Sequence, residues 1–333
     1  MSATPSGVSL PAAGVRRVLV TGAHGFVGRA LCAGLVAHGV AVTAVTRTAG
    51  HIEGVSRFHA VGSLTALRDW RPCLDGADAV VHLAAVTHDG TRGADAAHFH
   101  ALNVDVSCAL AAAARAAGIK RLVYLSSIKG NGESSTLAAG GLHAFSAADT
   151  PAPQDEYGRS KLAAERGLTA LWGEADGALT ILRPPLVFGP GQKGNLPRLM
   201  QLVARQWPLP FGALNNRRSV IYVDNLVAAI LCALVNAPRG VHCYTLADVE
   251  VSSAELVSAI ARGLGVPARL FAVPEPLLRA VAHLPLLGPR VRRLTDSLVV
   301  DAQAIKRELG WMPVTRFDDA MAITCAAWRS ASQ

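Results

Sequence analysis

The fold can be inferred from the stretch RVLVTGAHGFVG, residues 17–28, in which a short apolar run leads directly into three glycines, Gly22, Gly25 and Gly28. Glycines at this spacing allow a tight turn, let backbone amides approach a pyrophosphate, and let the following helix pack closely on the strand. The N-terminus of that helix would then face the phosphate charge. Because the motif lies between a first strand and a helical segment over residues 27–38, it predicts a dinucleotide-binding site.

Further along the chain, β-branched apolar runs alternate with Ala- and Leu-rich segments of helical period. Strands separated by helices in this way predict a parallel sheet that is covered on both faces. We therefore expect an α/β fold with a doubly wound parallel sheet of the Rossmann type. The predicted strands are residues 17–20, 40–45, 77–83, 121–125 and 179–183, and the predicted helices are residues 27–38, 101–117 and 157–172.

The alternation stops after Pro185, and the Pro-, Leu- and Arg-rich stretch 267–293 fits no strand–helix unit. The first residues are rich in Ser, Pro, Ala and Gly, as loose termini often are. We therefore predict a second, smaller region that is partly interleaved with the first. The predicted division is a flexible tail over residues 1–15, a dinucleotide-binding domain over 16–190 with a return of 219–247, and a substrate-binding region over 191–330.

The composition is that of a folded protein with a large core: 51% of the 333 residues are hydrophobic, 17% are charged, and the mean hydropathy is +0.31. These values exclude intrinsic disorder. The longest apolar run, residues 226–235, has about 10 residues, well short of the roughly 18 that a membrane span needs. Because the start of the chain also lacks the basic-then-apolar order of a signal peptide, we expect a cytoplasmic protein.

The formal charge of +8 comes mainly from arginine, since only five of the 32 basic residues are lysines, and these are spread along the chain. A nucleic-acid-binding protein usually concentrates its charge in a stripe, so we expect no nucleic-acid partner. Six scattered cysteines without a CxxC pair predict reduced core thiols rather than disulfides or a zinc site. The spacing of His98 and His100 is also interpreted as non-ligating, so no metal is expected.

The end of the second predicted strand bears on the choice of cofactor. An NAD-specific site would place a carboxylate there to hold the ribose hydroxyls, but Thr46 stands in that position and Arg47 follows it. A guanidinium can bind the 2′-phosphate that a carboxylate would repel. The pair therefore favours NADP and leaves NAD open, the alternative being an exposed arginine at a strand end.

Tyr157 and Lys161 lie four residues apart at the start of a predicted helix, which puts the phenol and the ammonium on one helix face. A nearby cation stabilises a phenolate and lowers the tyrosine pKa toward a value useful for acid–base catalysis. Ser127 ends a predicted strand 30 residues upstream of Tyr157, where its hydroxyl is available to bind a substrate oxygen. Alternatively, the pair marks only a helix face and the serine only a strand end.

These motifs occur in the order found in the extended short-chain dehydrogenase/reductase family, and the chain resembles its nucleotide-sugar epimerases, dehydratases and reductases. The resemblance runs from Arg17 to about Trp328. The segments that carry it are residues 21–28, 82–85, 103, 126–127, 157 with 161, 183–191, 222–224 and 309–313.

The resemblance implies that Tyr157 donates and accepts the proton, that Lys161 holds the nicotinamide ribose, and that Ser127 binds the reacting oxygen. It also implies that residues 208–211 hold the base of the sugar nucleotide. Together, the motifs and the resemblance assign to the cofactor Gly22, Gly25, Phe26, Val27, Gly28, Thr46, Arg47, Leu83, Ala84, Ala85, Asn103, Tyr157, Lys161 and Pro184. The residues assigned to the substrate are Thr87, Ser127, Asn195 and Arg218, where Asn195 alternatively caps a helix and Arg218 alternatively lies on the surface.

One departure from the family narrows the reaction. Its dehydratases carry an Asp-Glu pair after the catalytic hydroxyl residue, whereas Ile128 and Lys129 follow Ser127, which disfavours dehydration. We expect an NAD(P)-dependent enzyme acting at C4 of a UDP-type sugar nucleotide, with a 4-ketoreductase in bacterial surface-polysaccharide precursor synthesis favoured. The alternatives are a UDP-sugar 4-epimerase with tightly bound NAD, a non-sugar ketone or alcohol dehydrogenase, and a non-catalytic cofactor-binding protein. A homodimer is among the expected assemblies.

Overall fold

The computed structural model describes residues 9–87, 96–135, 141–173, 176–274, 277 and 295–332. The strands are β1 (Arg17–Thr21), β2 (Ala41–Thr46), β3 (Arg57–Ala60), β4 (Ala79–His82), β5 (Arg121–Leu125), β6 (Ala178–Arg183), β7 (Leu186–Phe188), β8 (Arg218–Tyr222), β9 (Gly240–Thr245) and β10 (Val249–Val251). The helices are α1 (Phe26–Ala37), α2 (Arg71–Leu74), α3 (Ala96–His100), α4 (Val106–Ala116), α5 (Glu156–Trp172), α6 (Asn195–Ala204), α7 (Val223–Asn236), α8 (Ser253–Leu264), α9 (Gln303–Leu309) and α10 (Phe317–Ser332).

Seven strands form the large sheet in the order β3-β2-β1-β4-β5-β6-β9, and every neighbouring pair is parallel. The predicted doubly wound α/β fold is thus confirmed. The direction of winding reverses between β1 and β4, and in open sheets of this kind ligands bind outside the carboxyl ends of the strands at that point. The loops after β1, β4, β5 and β6 therefore surround the expected site.

The strands β1, β2, β4, β5 and β6 are buried on both faces of this sheet, which explains why their sequences are largely apolar. On one face α1 and α7 pack through residues such as Leu31, Leu35 and Ile230, all with 0% exposure. On the other face α4 and α5 pack through Leu110 and Trp172, which are equally buried. The large sheet is thus a rigid support for the loops at its edge.

The smaller sheet has the order β10-β8-β7 and packs with α6, α8 and α10 around its own apolar core. The chain leaves the large sheet after β6, forms β7 and β8, and then returns through α7 to place β9 beside β6. Within the stretch 219–247, α7 and β9 therefore join the large sheet while β8 belongs to the small one. This is the interleaving that the sequence predicts.

The prediction of a flexible tail over residues 1–15 is wrong for the part that the structure describes. Leu10 and Val15 are fully buried in the core against α1 and α7. Arg121 Nη2 also donates a hydrogen bond to the carbonyl of Ala13 at 3.1 Å. Apolar side chains scattered in a Ser- and Pro-rich segment are thus sufficient to anchor it.

Two further expectations from the sequence concern a membrane span and the irregular stretch 267–293. None of the helices in the described part of the chain is both long enough and apolar enough to cross a membrane. Most of the Pro-, Leu- and Arg-rich stretch 267–293 lies outside the described residues, which end at 274 apart from Leu277 and resume at 295.

Candidate active site

The turn after β1 has the geometry of a phosphate cradle. Gly22 has φ of +71°, and a Cβ at this position would lie 2.9 Å from the backbone nitrogen of Ala84. A Cβ at Gly28 would lie 2.2 Å from the carbonyl oxygen of Gly22. The amide of Gly25 closes the turn by donating to Gly22 O at 2.9 Å. These close approaches require glycine, and the bare turn in front of α1 fits the pyrophosphate of a dinucleotide.

His82, the last residue of β4, holds this turn from the neighbouring strand. Its Nδ1 lies 2.6 Å from Thr21 Oγ1 and its Nε2 lies 2.8 Å from Ser107 Oγ. Because Ser107 Oγ donates to Asn103 O, it accepts from His82, which sets the Nε2–H tautomer. Burial, with a smaller contribution from nearby Lys161, lowers the pKa of His82 to about 3. The neutral imidazole thus ties β1, β4 and α4 together.

Asn103 connects the loop after β4 to α5. It lies in the π-helical turn Ala101–Asp105, which replaces part of the single predicted helix over 101–117. Its Oδ1 accepts from Val86 N at 2.8 Å, and its Nδ2 donates to Ser160 Oγ at 2.9 Å. Leu83, Ala84 and Ala85 form the loop between His82 and Val86, whereas Thr87 is exposed.

Ser127 and Tyr157 form a hydrogen-bonded pair at the carboxyl edge of the sheet. Ser127 follows β5 and begins the 3₁₀ turn Ile128–Gly130, while Tyr157 lies in the first turn of α5. Asp155 begins that helix by accepting from Gly158 N at 2.7 Å. The two hydroxyls that the sequence assigns to the reacting oxygen are therefore brought together.

Lys161 lies one helical turn after Tyr157 and is only 2% exposed. Its Nζ donates to Leu125 O at 2.7 Å and lies 4.6 Å from the centroid of the Tyr124 ring. Burial lowers the pKa of Lys161 to about 7, which Glu165 partly counteracts.

The expectation that Lys161 lowers the tyrosine pKa is wrong for this structure. Burial raises the pKa of Tyr157 to about 12, with a further increase from Asp155, although the hydrogen bond with Ser127 acts in the opposite direction. The physical reason is that desolvation of the phenolate dominates, while the ammonium of Lys161 is directed at the Leu125 carbonyl. At neutral pH the phenol of Tyr157 is therefore protonated.

The end of β2 is much more open. Thr46 is buried and its hydroxyl donates to the carbonyl of Thr48 at 2.8 Å. The Arg47 side chain is exposed, and it makes no ion pair with any residue that the structure describes. This guanidinium is thus available to an anion at the edge of the sheet.

Two of the four proposed substrate residues, Asn195 and Arg218, lie on the side of the small sheet. Asn195 is exposed in the first turn of α6, and Gly194 occupies the capping position, so Asn195 is not the cap. Arg218 begins β8 and donates from Nη1 to Asp296 O at 2.8 Å. Its neighbour Arg217 is exposed and pairs with Glu255 at 3.3 Å. The two arginines therefore differ in both exposure and partner.

A short extended segment links Arg218 to the catalytic side. Arg218 pairs with Leu298, and Val300 pairs with Phe145 in the loop between β5 and α5. A ligand bound at both places would have to bridge the distance between them.

With this geometry in place, comparison with known proteins assigns the family. Residues 18–246 match the family described as NAD dependent epimerase/dehydratase. The chain belongs to that family. It is therefore an NAD(P)-dependent enzyme of the extended short-chain dehydrogenase/reductase type, which confirms the resemblance found in the sequence.

Several members of the family are similar over nearly the whole chain. A UDP-glucose 4-epimerase from Vibrio cholerae is 32% identical over 95% of this chain and 97% of its own length. A 2-alkyl-3-oxoalkanoate reductase from Stenotrophomonas maltophilia (strain K279a) is 29% identical over 92% of this chain and 97% of its own. The structure of MoeE5 in complex with UDP-glucose and NAD is 27% identical, covers 95% of this chain and 100% of its own, and has a TM-score of 0.75.

Sequence reasoning missed a buried ion pair next to the predicted catalytic residues. Glu165 and Arg183 have side chains that are only 5% and 6% exposed, and Arg183 Nε donates to Glu165 Oε1 at 3.0 Å. Glu165 also accepts from Ser126 Oγ, and Arg183 Nη1 donates to Asn131 Oδ1 at 2.9 Å. The spacing of Glu165 four residues after Lys161 was the one available signal. Pro184, next to Arg183, is buried and its carbonyl accepts from Ile128 N at 3.0 Å.

The six cysteines of this family member are all unpaired, and four of them are buried. Burial raises the pKa of the Cys32 thiol to about 12 and that of Cys232 to about 11, so these are not reactive thiolates. Among the described residues, no three His, Cys, Asp or Glu side chains are grouped as a metal site would require.

Proposed function

We propose that this enzyme reduces the 4-keto group of a UDP-type sugar nucleotide with NADPH, in the synthesis of bacterial surface-polysaccharide precursors. The observation that carries the proposal is the hydrogen-bonded pair of Ser127 and Tyr157 at the carboxyl edge of the sheet, where the phenol of Tyr157 can donate a proton to a carbonyl oxygen. Reduction of a ketone requires a proton donor at the oxygen, whereas oxidation of an alcohol requires a base.

The residues at this edge fit a nicotinamide dinucleotide. The bare turn at Gly22 and Gly28 accepts the pyrophosphate, and the N-terminus of α1 faces its charge. Lys161 would hold the nicotinamide ribose, and Asn103 holds the loop after β4 through its bond with Val86 N. When bound, the cofactor supplies the hydride.

The chain's own groups then handle the proton at the sugar oxygen. Tyr157 donates its phenolic proton to the oxygen at C4, and Ser127 donates a hydrogen bond to the same oxygen. General acid catalysis of this kind contributes about 10²- to 10⁴-fold in rate. Arg218 and Asn195 hold the diphosphate, and residues 208–211, which include the buried Leu209 and Phe211, hold the base.

The preference for NADP is supported by the open end of β2. Arg47 presents an exposed guanidinium that no described carboxylate neutralises, and Thr46 places no negative charge beside it. A charge-assisted hydrogen bond to a 2′-phosphate contributes about 1.5–3 kcal/mol. Because a reductase consumes its cofactor, a site that exchanges NADPH suits this reaction.

The presence of Lys129, two residues after Ser127, disfavours the elimination of water from the sugar. The ammonium of Lys129 lies where the family's dehydratases carry a carboxylate, and it is bonded to Asp155 and to Glu133 at 3.0 Å. No described carboxylate in that position is free to remove a proton from the sugar.

A UDP-sugar 4-epimerase with retained NAD is the second candidate, favoured by the Vibrio cholerae relative and by the NAD complex of MoeE5. Reduction of a non-sugar ketone is the third, favoured by the 2-alkyl-3-oxoalkanoate reductase. A non-catalytic binding protein is disfavoured because the Ser127, Tyr157 and Lys161 side chains are all present.

The purified enzyme should be incubated with UDP- and dTDP-sugars, both 4-hydroxy and 4-keto, and with a β-keto acid, in the presence and absence of NADPH. We expect NADPH-dependent reduction of a 4-keto sugar and no reaction of the 4-hydroxy sugars alone. Interconversion of 4-hydroxy epimers without added cofactor would identify the epimerase instead. Reduction of the β-keto acid alone would identify the third candidate. Size-exclusion chromatography with light scattering on the same sample tests the expected homodimer.

A further inference from the structure

A lysine–aspartate ion pair bridges the two segments that carry the reacting hydroxyls. Lys129 comes two residues after Ser127, and Asp155 comes two residues before Tyr157. The Lys129 Nζ donates directly to Asp155 Oδ2, and it also contacts Glu133 Oε1 at 3.0 Å. The side chains of Lys129 and Asp155 are only 25% and 20% exposed, so this pair is more sheltered than an ordinary surface ion pair.

The backbone around this pair is in equally close contact. The amide of Lys129 donates to Ser127 Oγ at 3.3 Å, and the Asp155 carboxylate accepts from Gly158 N at 2.7 Å. A Cβ at Gly158 would lie 2.7 Å from the carbonyl oxygen of Lys129. The 3₁₀ turn after β5 therefore rests directly on the first turn of α5, and the ion pair spans that contact.

The pair also affects the charge felt by Tyr157. The negative charge of Asp155 raises the pKa of Tyr157. Burial raises the pKa of Asp155, but hydrogen bonds with Glu133 and then with Lys129 hold it below its usual range, so Lys129 supplies part of the compensation for this charge. The other titratable groups near Tyr157 are Tyr124 and Lys161, with Glu133 behind Asp155.

We propose that Lys129 is a positioning residue, whose ion pair with Asp155 fixes Ser127 against the hydroxyl of Tyr157 and screens Tyr157 from the Asp155 carboxylate. The inference rests on the proposed function only for its kinetic readout. A misplacement of about 1 Å between catalytic groups can lower a rate by roughly 100-fold, so a contact that sets this distance matters for turnover.

The test compares Lys129→Met, the rescue variant Lys129→Arg and the double variant Lys129→Met with Asp155→Asn. Asparagine keeps the helix cap without the charge. Lys120→Met is the matched control, because Lys120 forms a lysine–aspartate pair of 3.2 Å with Asp176 at an exposed site before β5. The unchanged protein and the four variants are prepared with 3-fluorotyrosine, whose fluorine lowers the phenol pKa and reports its ionisation, and the fluorine signal of Tyr157 is assigned with Tyr157→Phe.

We expect the Tyr157 signal of Lys129→Met to titrate about one pH unit higher than in the unchanged protein, because Asp155 is no longer compensated. The double variant should return the titration toward the unchanged value, and Lys120→Met should leave it unaffected. In turnover, Lys129→Met should lower kcat roughly 10- to 100-fold with little change in KM, and Lys129→Arg should recover most of it.

An unshifted Tyr157 titration in Lys129→Met, together with a kcat equal to that of Lys120→Met, would overturn the positioning role. The fluorine titration needs no substrate, so it decides the inference even if none of the tested sugars is turned over. If the titration shifts in Lys129→Met but the unchanged protein turns over none of the tested sugars, the result contradicts the proposed substrate and supports the role of Lys129.

Discussion

The two ends of the proposed cofactor site are built in opposite ways. At the catalytic end, Lys161 is buried and Tyr157 is half-buried, and each is bonded to a group from another part of the chain. At the adenosine end, Arg47 is exposed and bonded to no described carboxylate. From this difference we propose that catalysis depends on a network of residues from several elements, whereas cofactor choice depends on the single side chain of Arg47. Changes at the two ends should therefore separate rate from cofactor preference.

The largest effect is expected for Tyr157→Phe, which keeps the ring and removes the proton donor. The rate of hydride transfer should fall about 10²- to 10⁴-fold. The dissociation constants of NADP and NAD, measured by fluorescence titration, should change little. A variant that retains more than about half of the activity would refute the proton-donor role.

The second prediction concerns the stability that the buried lysine removes. The pKa of Lys161 is lowered from 10.5 to about 7 in the folded protein, so below pH 7 the fold must bury a charge. That penalty disappears as the pH rises from 7 to 10.5, because the unfolded chain then binds more protons than the folded one. At pH 6, the free energy of unfolding of Lys161→Met should therefore exceed that of the unchanged protein by about 2–4 kcal/mol. The variant should accordingly unfold at a higher temperature.

Thermal melts at several pH values check this prediction. The advantage of Lys161→Met should shrink steadily between pH 7 and pH 10 while its activity stays lost. An advantage that is independent of pH would mean that packing, and not the buried charge, explains the difference.

At the adenosine end, we expect the unchanged protein to bind NADP roughly 10- to 150-fold more tightly than NAD. Arg47→Ala should remove most of this preference. Thr46→Asp should reverse the preference, since a carboxylate repels the 2′-phosphate. The turnover rate at saturating cofactor should stay unchanged, in contrast to Tyr157→Phe. Equal affinity of the unchanged protein for NADP and NAD would contradict the role of Arg47.

The smallest effect is expected for Arg218→Ala, because this side chain is already bonded to the Asp296 carbonyl. Loss of a charge-assisted bond to a diphosphate should raise the substrate dissociation constant about 10-fold, while NADP binding is unchanged. Arg217→Ala is the matched control, since Arg217 pairs with Glu255 on the surface. The same constant in both variants would return Arg218 to a purely structural role.

The parts of the fold that could be predicted from the sequence depend on local chemistry. The turn at Gly22 and the positions of Tyr157 and Lys161 follow from residues within one turn of each other. The buried pair of Glu165 and Arg183 could not be predicted, because its partners are 18 residues apart and meet only when α5 packs on the sheet.

Two errors have the same origin. The sign of the pKa shift at Tyr157 was predicted from one neighbouring charge, whereas burial, which depends on the whole fold, outweighs it. The segment around Leu10 was expected to be flexible from its composition, but the structure buries Leu10 completely. Burial is a tertiary property that neither a motif nor a composition reports.

Transfer of deuterium from C4-deuterated NADPH to a UDP-4-keto sugar tests the central claim most directly. We predict that the product acquires one deuterium at C4 for each NADPH consumed, and that Tyr157→Phe suppresses this transfer without weakening NADP binding. Interconversion of C4 epimers by protein that retains NAD, with no deuterium entering the product, would contradict the account.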